Sequence, residues 1–184
     1  MNTLGLYSGS VRLVLFDVDG VLTEGSLYFD AEGEAFKAFN VRDGLAIPLL
    51  RAHGVRSGVL SGKSSPALDR RVQQLGFDVA VTGVIAKREA YERIKRSEGL
   101  SDKQVAFVGD DVIDLPLAGL VGCFLAPKDA HALVLGMADH VLSLRGGRGV
   151  AREAAEYILS AGGLDLEAAY RPLLDDWGSW NVVQ

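Results

Sequence analysis

Two aspartates that follow an apolar segment are the first residues in this sequence whose types and spacing could do chemistry. Asp17 and Asp19 come directly after residues 11–16 (VRLVLF), a run that predicts a strand buried on both faces of a parallel sheet. Side chains two residues apart on an extended chain point the same way, and Gly20 would let the backbone approach a ligand closely. Such strand ends are where α/β proteins bind ligands, so the pattern predicts an acidic site, although an Asp-x-Asp pair is also common in solvated turns.

A second acidic group follows another predicted strand, residues 105–108 (VAFV). Asp110, Asp111 and Asp114 come soon after its end. Because parallel strands end at one edge of a sheet, these carboxylates would converge with Asp17 and Asp19. Like charges at such a short separation need a cation between them. Mg²⁺, which prefers oxygen ligands, meets that need. Helix capping by Asp110 or Asp111 is another explanation of the same residues, and it is compatible with a metal site.

Three further segments carry groups that could bind an anion. Ser61 and Gly62 end a second predicted strand, where a serine is also a common helix cap, and Lys87 follows a third. Residues 145–149 (RGGRG) place glycine amides beside cations, so Arg148 could bind a carboxylate or a phosphate. The same five residues could equally form a flexible basic loop.

Predicted strands and helices alternate regularly along the chain, which indicates an α/β fold with a doubly wound parallel sheet and helices on both faces. Asp43 is predicted to cap a helix that runs to His53 and ends at Gly54, with Pro48 poorly placed beyond the first turn. Residues 24–39 depart from the alternation, because two β-prone segments flank a turn-rich tetrapeptide and predict a hairpin insertion.

The C-terminal tail, residues 162–184, differs in kind from the alternating segments. It follows the last predicted core helix and is rich in large apolar side chains, which indicate docking rather than disorder. The docking surface could be the tail's own domain or a partner. The apolar residues of the tail are Leu164, Leu166, Leu173, Leu174, Trp177 and Trp180.

Length and composition limit the function classes. The 184 residues fit a single domain spanning 1–184, and a net charge of -5 with scattered Lys and Arg is unlike a nucleic-acid-binding surface. Cys123 is the single cysteine, which fits a reducing cytoplasm. The first residues do not resemble a signal peptide, and no apolar run approaches the roughly 18 residues of a membrane span, so we expect no membrane partner.

Several of these segments together resemble the 3-deoxy-D-manno-octulosonate 8-phosphate phosphatase family of the haloacid dehalogenase superfamily. The resemblance implies a single small domain without a large cap, in which a hairpin is covered by neighbouring subunits of a homotetramer. It also implies a role in lipopolysaccharide precursor synthesis. The matching segments are DVDGVLT (17–23), Tyr28, FKAFNVRDGLAI (36–47), Ser61-Gly62, Lys87, GDDVIDLP (109–116) and GGRG (146–149).

The resemblance assigns roles in a Mg²⁺-dependent phosphomonoesterase. Asp17 would be the nucleophile that forms an aspartyl phosphate, and Asp19 would act first as general acid and then as general base. Asp17, the backbone carbonyl of Asp19, and Asp110 would hold Mg²⁺, with Asp111 and Asp114 in supporting roles. The residues that would bind the phosphate or the rest of the substrate are Gly20, Ser61, Gly62, Lys63, Lys87 and Arg148.

Lys63 departs from the family pattern, which usually has an arginine after the second motif. Arginine offers a carboxylate two parallel hydrogen bonds, whereas lysine is a point charge. The expected substrate is 3-deoxy-D-manno-octulosonate 8-phosphate, and a nine-carbon sugar-acid 9-phosphate is the alternative. A non-catalytic assembly domain is the alternative from another class of protein.

Overall fold

The computed structural model describes the backbone of residues 7–180 and the side chains of residues 7–178. The strands are β1 (Leu13–Phe16), β2 (Tyr28–Asp30), β3 (Gly33–Phe36), β4 (Arg56–Leu60), β5 (Val79–Val81), β6 (Val105–Val108), β7 (Cys123–Ala126) and β8 (His140–Val141). The α-helices are α1 (Ala46–Ala52), α2 (Pro66–Leu75), α3 (Lys87–Glu98), α4 (Ala132–Met137), α5 (Val150–Ala161) and α6 (Leu166–Trp180). Short 3₁₀ helices span Val41–Leu45, Asp102–Gln104 and Val112–Leu117.

Six of these strands form one parallel sheet, in the order β5-β4-β1-β6-β7-β8. β1 lies between β4 and β6, and Phe16 is in register with Val59 on one side and Val108 on the other. The residues that follow β1 and β6 therefore emerge side by side. The predicted α/β fold with a doubly wound parallel sheet is confirmed.

Two apolar clusters, one on each face of the sheet, form the core. Successive side chains of a strand point to opposite faces, and β1 follows this rule with every residue buried. Val14 and Phe16 pack in one cluster with α1, α5 and α6, while Leu13 and Leu15 pack in the other with α3 and α4. Burial of each such side chain contributes about 1.5–3 kcal/mol, so β1 anchors the two aspartates that follow it in a rigid frame.

The predicted hairpin is also present, as the antiparallel pair β2 and β3 in a small separate sheet. Across the pair, the rings of Tyr28 and Phe36 stack with centroids 4.4 Å apart. The side chains of Leu27, Phe29 and Phe36 are exposed. The hairpin thus holds its own shape while it presents apolar surface to solvent.

The C-terminal helix α6 packs on the chain's own domain, against α1 and α5. Leu164, Ala169 and Leu173 are buried in the first apolar cluster, and His53 Nε2 lies 2.8 Å from the carbonyl oxygen of Ala169. Leu166, Leu174 and Trp177 remain exposed, and both the Trp180 side chain and residues 181–184 lie outside what the structure describes. None of the helices within residues 7–180 combines the length and apolar character needed to cross a bilayer.

The predicted capping role of Asp43 is wrong. The buried carboxylate accepts a hydrogen bond from the backbone N–H of Ala151, at 2.8 Å, and so caps α5 rather than its own helix. Asn40 caps the 3₁₀ turn instead, by accepting from the N–H of Arg42. Pro48 is the third residue of α1 and therefore lies within the first turn, where its missing N–H costs nothing.

Candidate active site

Three carboxylates, of which two are buried and that of Asp110 is half-buried, converge at the ends of β1 and β6. Asp17 directly follows β1, while Asp110 and Asp114 follow β6, and one carboxylate oxygen from each lies within 4.8 Å of the others. Asp17 is 4% exposed and Asp114 is fully buried. The structure therefore brings together the two acidic groups of the sequence, as adjacent parallel strands require.

Lys87, the first residue of α3, supplies a positive charge to this cluster. Its Nζ lies 2.9 Å from Asp17 Oδ1 and 2.5 Å from Asp114 Oδ1, and its side chain is buried. Burial alone would lower the pKa of this ammonium, but the two carboxylates outweigh burial and raise it. Lys87 is therefore a permanent cation between the two aspartates.

One ammonium does not neutralise three carboxylates, and the surplus negative charge affects the acids. Burial raises the pKa of Asp17 to about 6, with Asp114 adding to the rise and Lys87 opposing it. Burial also raises the pKa of Asp110 to about 8, reinforced by the charges of Asp17 and Asp114. Both carboxyl groups therefore hold their protons more tightly than an exposed aspartate does, and a divalent cation bound between them would oppose this rise in pKa.

The donor set fits Mg²⁺. Asp110 Oδ1 is buried and has no hydrogen-bond partner among the described residues, so it is available as a ligand. Gly20 has a φ of +87°, and a Cβ at this position would collide with Asp110 Oδ2. The backbone of residues 17–23, the first aspartate loop, therefore lies directly against this carboxylate. Asp17 and Asp110 are the side chains that would hold the ion.

Asp114 and Asp111 have structural partners that explain their supporting positions. Asp114 Oδ1 pairs with Lys87, and Asp114 Oδ2 accepts hydrogen bonds from the backbone N–H groups of Asp110 (2.9 Å) and Asp111 (3.3 Å). Both oxygens are thus engaged, so Asp114 orients the lysine and the turn after β6. Asp111 caps the following 3₁₀ helix, and its side chain accepts from Val112 N at 2.7 Å.

A cavity of about 270 Å³ opens over the acidic cluster. Ser61 directly follows β4 on one side of it, and its Oγ accepts a hydrogen bond from Lys63 N at 3.2 Å, which leaves the hydroxyl proton free to donate to a phosphoryl oxygen. Of the residues predicted to act at the site, those that line the cavity are Asp17, Asp19, Gly20, Ser61, Gly62, Lys63, Asp110 and Asp111.

Arg148 lies apart from this cavity. It pairs with Glu24 at 2.8 Å and lines a neighbouring pocket with Phe39 and Asn40. Its role in substrate binding stays a prediction.

The interpretation of residues 145–149 as a nest of free amides is wrong. The N–H of Gly146 donates to Asp129 Oδ1 at 3.0 Å, and the N–H of Gly147 donates to the Val21 carbonyl at 2.8 Å. A Cβ at Gly146 would collide with the carbonyl oxygen of Gly20, so the glycines permit close packing against the first aspartate loop.

Sequence reasoning missed two residues that contact Asp19. Lys37, just after β3, places Nζ 2.5 Å from Asp19 Oδ1, and Thr23 Oγ1 lies 3.4 Å from the same oxygen. A lysine beside a polar strand normally suggests a solvated side chain, and the contact spans 18 positions of sequence. No local pattern could have identified it.

The raised pKa of Asp110 leads to a stability prediction. An acid whose pKa is higher in the folded state stabilises that state while it is protonated, and this contribution is lost as pH rises through the folded pKa. We therefore expect Asp110→Asn to raise the melting temperature of chelator-treated protein above pH 8, by about 2–4 °C per kcal/mol gained, and to have little effect near pH 4. Thermal scans across this pH range, with and without Mg²⁺, measure the effect.

The same variant should lose the stabilisation that Mg²⁺ gives the wild type, because a ligand of the ion is gone. Asp111→Asn is the matched control, since asparagine caps as well as aspartate and Asp111 is exposed. A lower melting temperature for Asp110→Asn at pH 8 would show that this carboxylate is not a source of strain in the metal-free fold.

Comparisons with known proteins identify the family. A family model for haloacid dehalogenase-like hydrolases matches residues 28–122. The chain is 43% identical over 154 residues to the 3-deoxy-D-manno-octulosonate 8-phosphate phosphatase KdsC of Haemophilus influenzae. The aligned region covers 84% of this chain and 86% of that protein.

Solved structures agree with this result. The cobalt-bound deoxy-D-mannose-octulosonate 8-phosphate phosphatase of Haemophilus influenzae superposes with a TM-score of 0.82 at 41% identity, over 88% of this chain and 96% of that one. The Moraxella catarrhalis 3-deoxy-D-manno-octulosonate 8-phosphate phosphatase was solved in complex with magnesium, phosphate and KDO. It superposes with a TM-score of 0.80 at 30% identity, over 88% of this chain and 92% of that one. The chain is therefore a phosphatase, and it belongs to the 3-deoxy-D-manno-octulosonate 8-phosphate phosphatase family of the haloacid dehalogenase-like hydrolases.

Proposed function

We propose that this protein hydrolyses 3-deoxy-D-manno-octulosonate 8-phosphate to the free sugar acid and phosphate, a step in lipopolysaccharide precursor synthesis. The observation that carries the proposal is the arrangement of Asp17 and Lys87, both buried, with the half-buried Asp110 at a cavity that Ser61 also lines. These are the groups that phosphoryl transfer needs: a nucleophile, fixed cations and a hydroxyl donor. An assembly domain without activity is not supported, because the family consists of phosphatases.

In the first half-reaction, a carboxylate oxygen of Asp17 attacks phosphorus and the bond to the sugar oxygen breaks. Lys87 holds Asp17 by its Oδ1, so the nucleophile keeps one orientation. The Ser61 hydroxyl and the Gly62 amide would bind the oxygens of the phosphoryl group. Bound Mg²⁺, held by Asp17 and Asp110, would neutralise charge on that group.

Asp19 serves both half-reactions in this scheme. It gives a proton to the departing sugar oxygen, and the resulting carboxylate then takes a proton from the water that hydrolyses the aspartyl phosphate. Its side chain lines the cavity beside Asp17, which is the position these transfers require. One group can act in both directions because the second half-reaction begins with the carboxylate that the first one leaves.

A panel of sugar-acid phosphates tests the substrate assignment. We expect the highest kcat/KM for 3-deoxy-D-manno-octulosonate 8-phosphate, a lower value for nine-carbon 9-phosphates, and no turnover in excess chelator. Mg²⁺ should restore activity, whereas Ca²⁺, which prefers more ligands at longer distances, should not. A higher kcat/KM for a nine-carbon substrate would overturn the substrate assignment, and Lys63 at the cavity edge would then be the first residue to examine.

We also propose that the active enzyme is a homotetramer assembled through the hairpin. The cavity is open to solvent, and phosphoryl transfer benefits from the exclusion of water. Phe29 and Phe36, 66% and 53% exposed, are the kind of apolar surface that a subunit interface covers.

Charge on the hairpin should therefore change the assembly. Phe29 is exposed in the single chain, so Phe29→Asp should not unfold the domain, but we expect it to yield smaller species. These species should turn over the sugar phosphate poorly and keep activity on a small aryl phosphate, which needs no cover. Light scattering alongside both assays measures this, and Asp30→Asn at the hairpin tip is the control. A fully active monomeric wild type would contradict the proposal.

A further inference from the structure

Lys37 connects the hairpin to Asp19 through an ion pair in which the lysine is buried and the carboxylate is partly exposed. It lies just after β3, its side chain is 2% exposed, and its Nζ lies 2.5 Å from Asp19 Oδ1. Glu34, on β3, holds the same ammonium through Oε2 at 3.4 Å. The lysine is therefore fixed between a carboxylate of the hairpin and a carboxylate of the active site.

Stability alone gives little reason for this arrangement. Removing charges from water costs about as much as their attraction returns, so a buried ion pair is a weak source of stability. Glu34 Oε1 is also buried and has no hydrogen-bond partner among residues 7–178, which adds to the cost. What the arrangement does provide is a fixed orientation, because a lysine with a partner on each side cannot swing away.

The contacts to Asp19 distinguish its two oxygens. Lys37 Nζ and Thr23 Oγ1 both lie against Oδ1, and no other side-chain hydrogen bond to this carboxylate is found within residues 7–178. An ammonium carries only donors, so a proton on Asp19 must reside on Oδ2. The oxygen that can exchange a proton with substrate is thus decided by the hairpin.

We propose that Lys37, anchored by Glu34, is a positioning residue that fixes the carboxyl group of Asp19 so that Oδ2 meets the leaving oxygen. The inference rests on the proposed function and deepens it. When an oxygen of Asp17 bonds to phosphorus, the bond from phosphorus to the leaving oxygen breaks and leaves its electron pair on that oxygen. The proton on Asp19 Oδ2 then passes to the leaving oxygen, and Asp19 becomes a carboxylate that remains paired with Lys37.

Leaving groups of different basicity separate this role from others. An acidic leaving group such as 4-nitrophenolate departs without a proton, whereas phenolate or a sugar alkoxide needs one. Loss of Lys37 should therefore impair substrates in proportion to their need for a general acid. A purely structural role would impair all substrates equally, and a substrate-binding role would raise KM instead.

The test compares kcat/KM of the full-length wild type and Lys37→Met for phenyl phosphate and 4-nitrophenyl phosphate at saturating Mg²⁺. We expect a loss of about 10- to 100-fold for phenyl phosphate and of less than about 3-fold for 4-nitrophenyl phosphate. Lys37→Arg should restore part of the phenyl phosphate activity. Lys128→Met, at an exposed lysine distant in sequence from the site, is the matched control and should leave both rates unchanged.

Glu34→Gln keeps the inference testable if Lys37→Met does not fold. It should produce the same dependence on the leaving group at smaller size, about 3- to 10-fold for phenyl phosphate. Equal losses on both substrates, or a change confined to KM, would overturn the role of Lys37 while the proposed function stands. Absence of turnover by the wild type on 3-deoxy-D-manno-octulosonate 8-phosphate would overturn the proposed function, and this inference with it.

Discussion

Asp17→Asn is expected to lower kcat by about 10³-fold or more on every phosphate monoester, because an amide oxygen cannot form the covalent intermediate. The fold should survive, since asparagine has nearly the same shape and the strand that precedes residue 17 is buried throughout. Removing the charge also relieves the crowding with Asp110 and Asp114, whose carboxylate oxygens lie within 4.8 Å. We therefore expect loss of turnover without loss of stability. Steady-state assays and thermal scans on the same preparation measure both.

Asp69→Asn is the control for this prediction, because it makes the same chemical change at an exposed residue of α2 that does not line the cavity. It should retain most of the activity. Near-normal turnover by Asp17→Asn would exclude covalent transfer to this residue. The remaining scheme would then be direct attack by water, with Asp17 limited to holding Mg²⁺.

Lys87→Met should lower both the free energy of unfolding and the rate of the reaction. The ammonium is buried between Asp17 and Asp114, and its removal leaves both carboxylates without their cation. Breaking a buried ion pair in this way costs about 3–5 kcal/mol of stability. Each kcal/mol lost lowers the melting temperature by about 2–4 °C. The pKa of Asp17 should also rise further, because the charge and hydrogen bond of Lys87 lower it. Denaturant unfolding without metal and activity with metal measure the two effects.

The electrostatic explanation of that loss predicts a rescue. Lys87→Met combined with Asp114→Asn should be more stable than Lys87→Met alone, because the second change removes a buried charge that the first left unpaired. Lys128→Met, at an exposed lysine, controls for the loss of one positive charge overall. An unchanged free energy of unfolding for Lys87→Met would show that the cation does not offset the buried carboxylates.

The sequence predicted the fold wherever a local pattern coincides with the tertiary structure. The apolar run before Asp17 predicted a buried central strand, and Gly54, which was predicted to end the first helix, has the positive φ of +71° that glycine favours. Capping was less predictable. Asp43 has the right type and place to cap its own helix, yet its carboxylate caps α5, more than a hundred positions away in sequence. Local hydrogen-bond rules cannot distinguish these outcomes.

The candidate site likewise contains some residues that a sequence pattern could place and others that it could not. The acids after β1 and β6 could be placed together from sequence, because parallel strand order is regular enough to bring their ends together. Lys37 could not be placed, because its contact with Asp19 depends on how the hairpin folds back over the loop. The glycines beside Arg148 could not be interpreted from sequence either, because Gly146 packs against the carbonyl oxygen of Gly20, which is far away in sequence.

The covalent scheme is tested most directly by the fast kinetics of Asp19→Asn with 2,4-dinitrophenyl phosphate. This leaving group needs no proton, so transfer to Asp17 should proceed, whereas hydrolysis of the aspartyl phosphate needs the missing base. We predict a burst of about one equivalent of dinitrophenolate per active site. Acid quenching should leave phosphate covalently bound at Asp17. Trypsin cleaves after Arg12, so the phosphate should be found on the tryptic peptide that begins at Leu13. Slow linear release without a burst, or phosphate attached to another residue, would contradict the account.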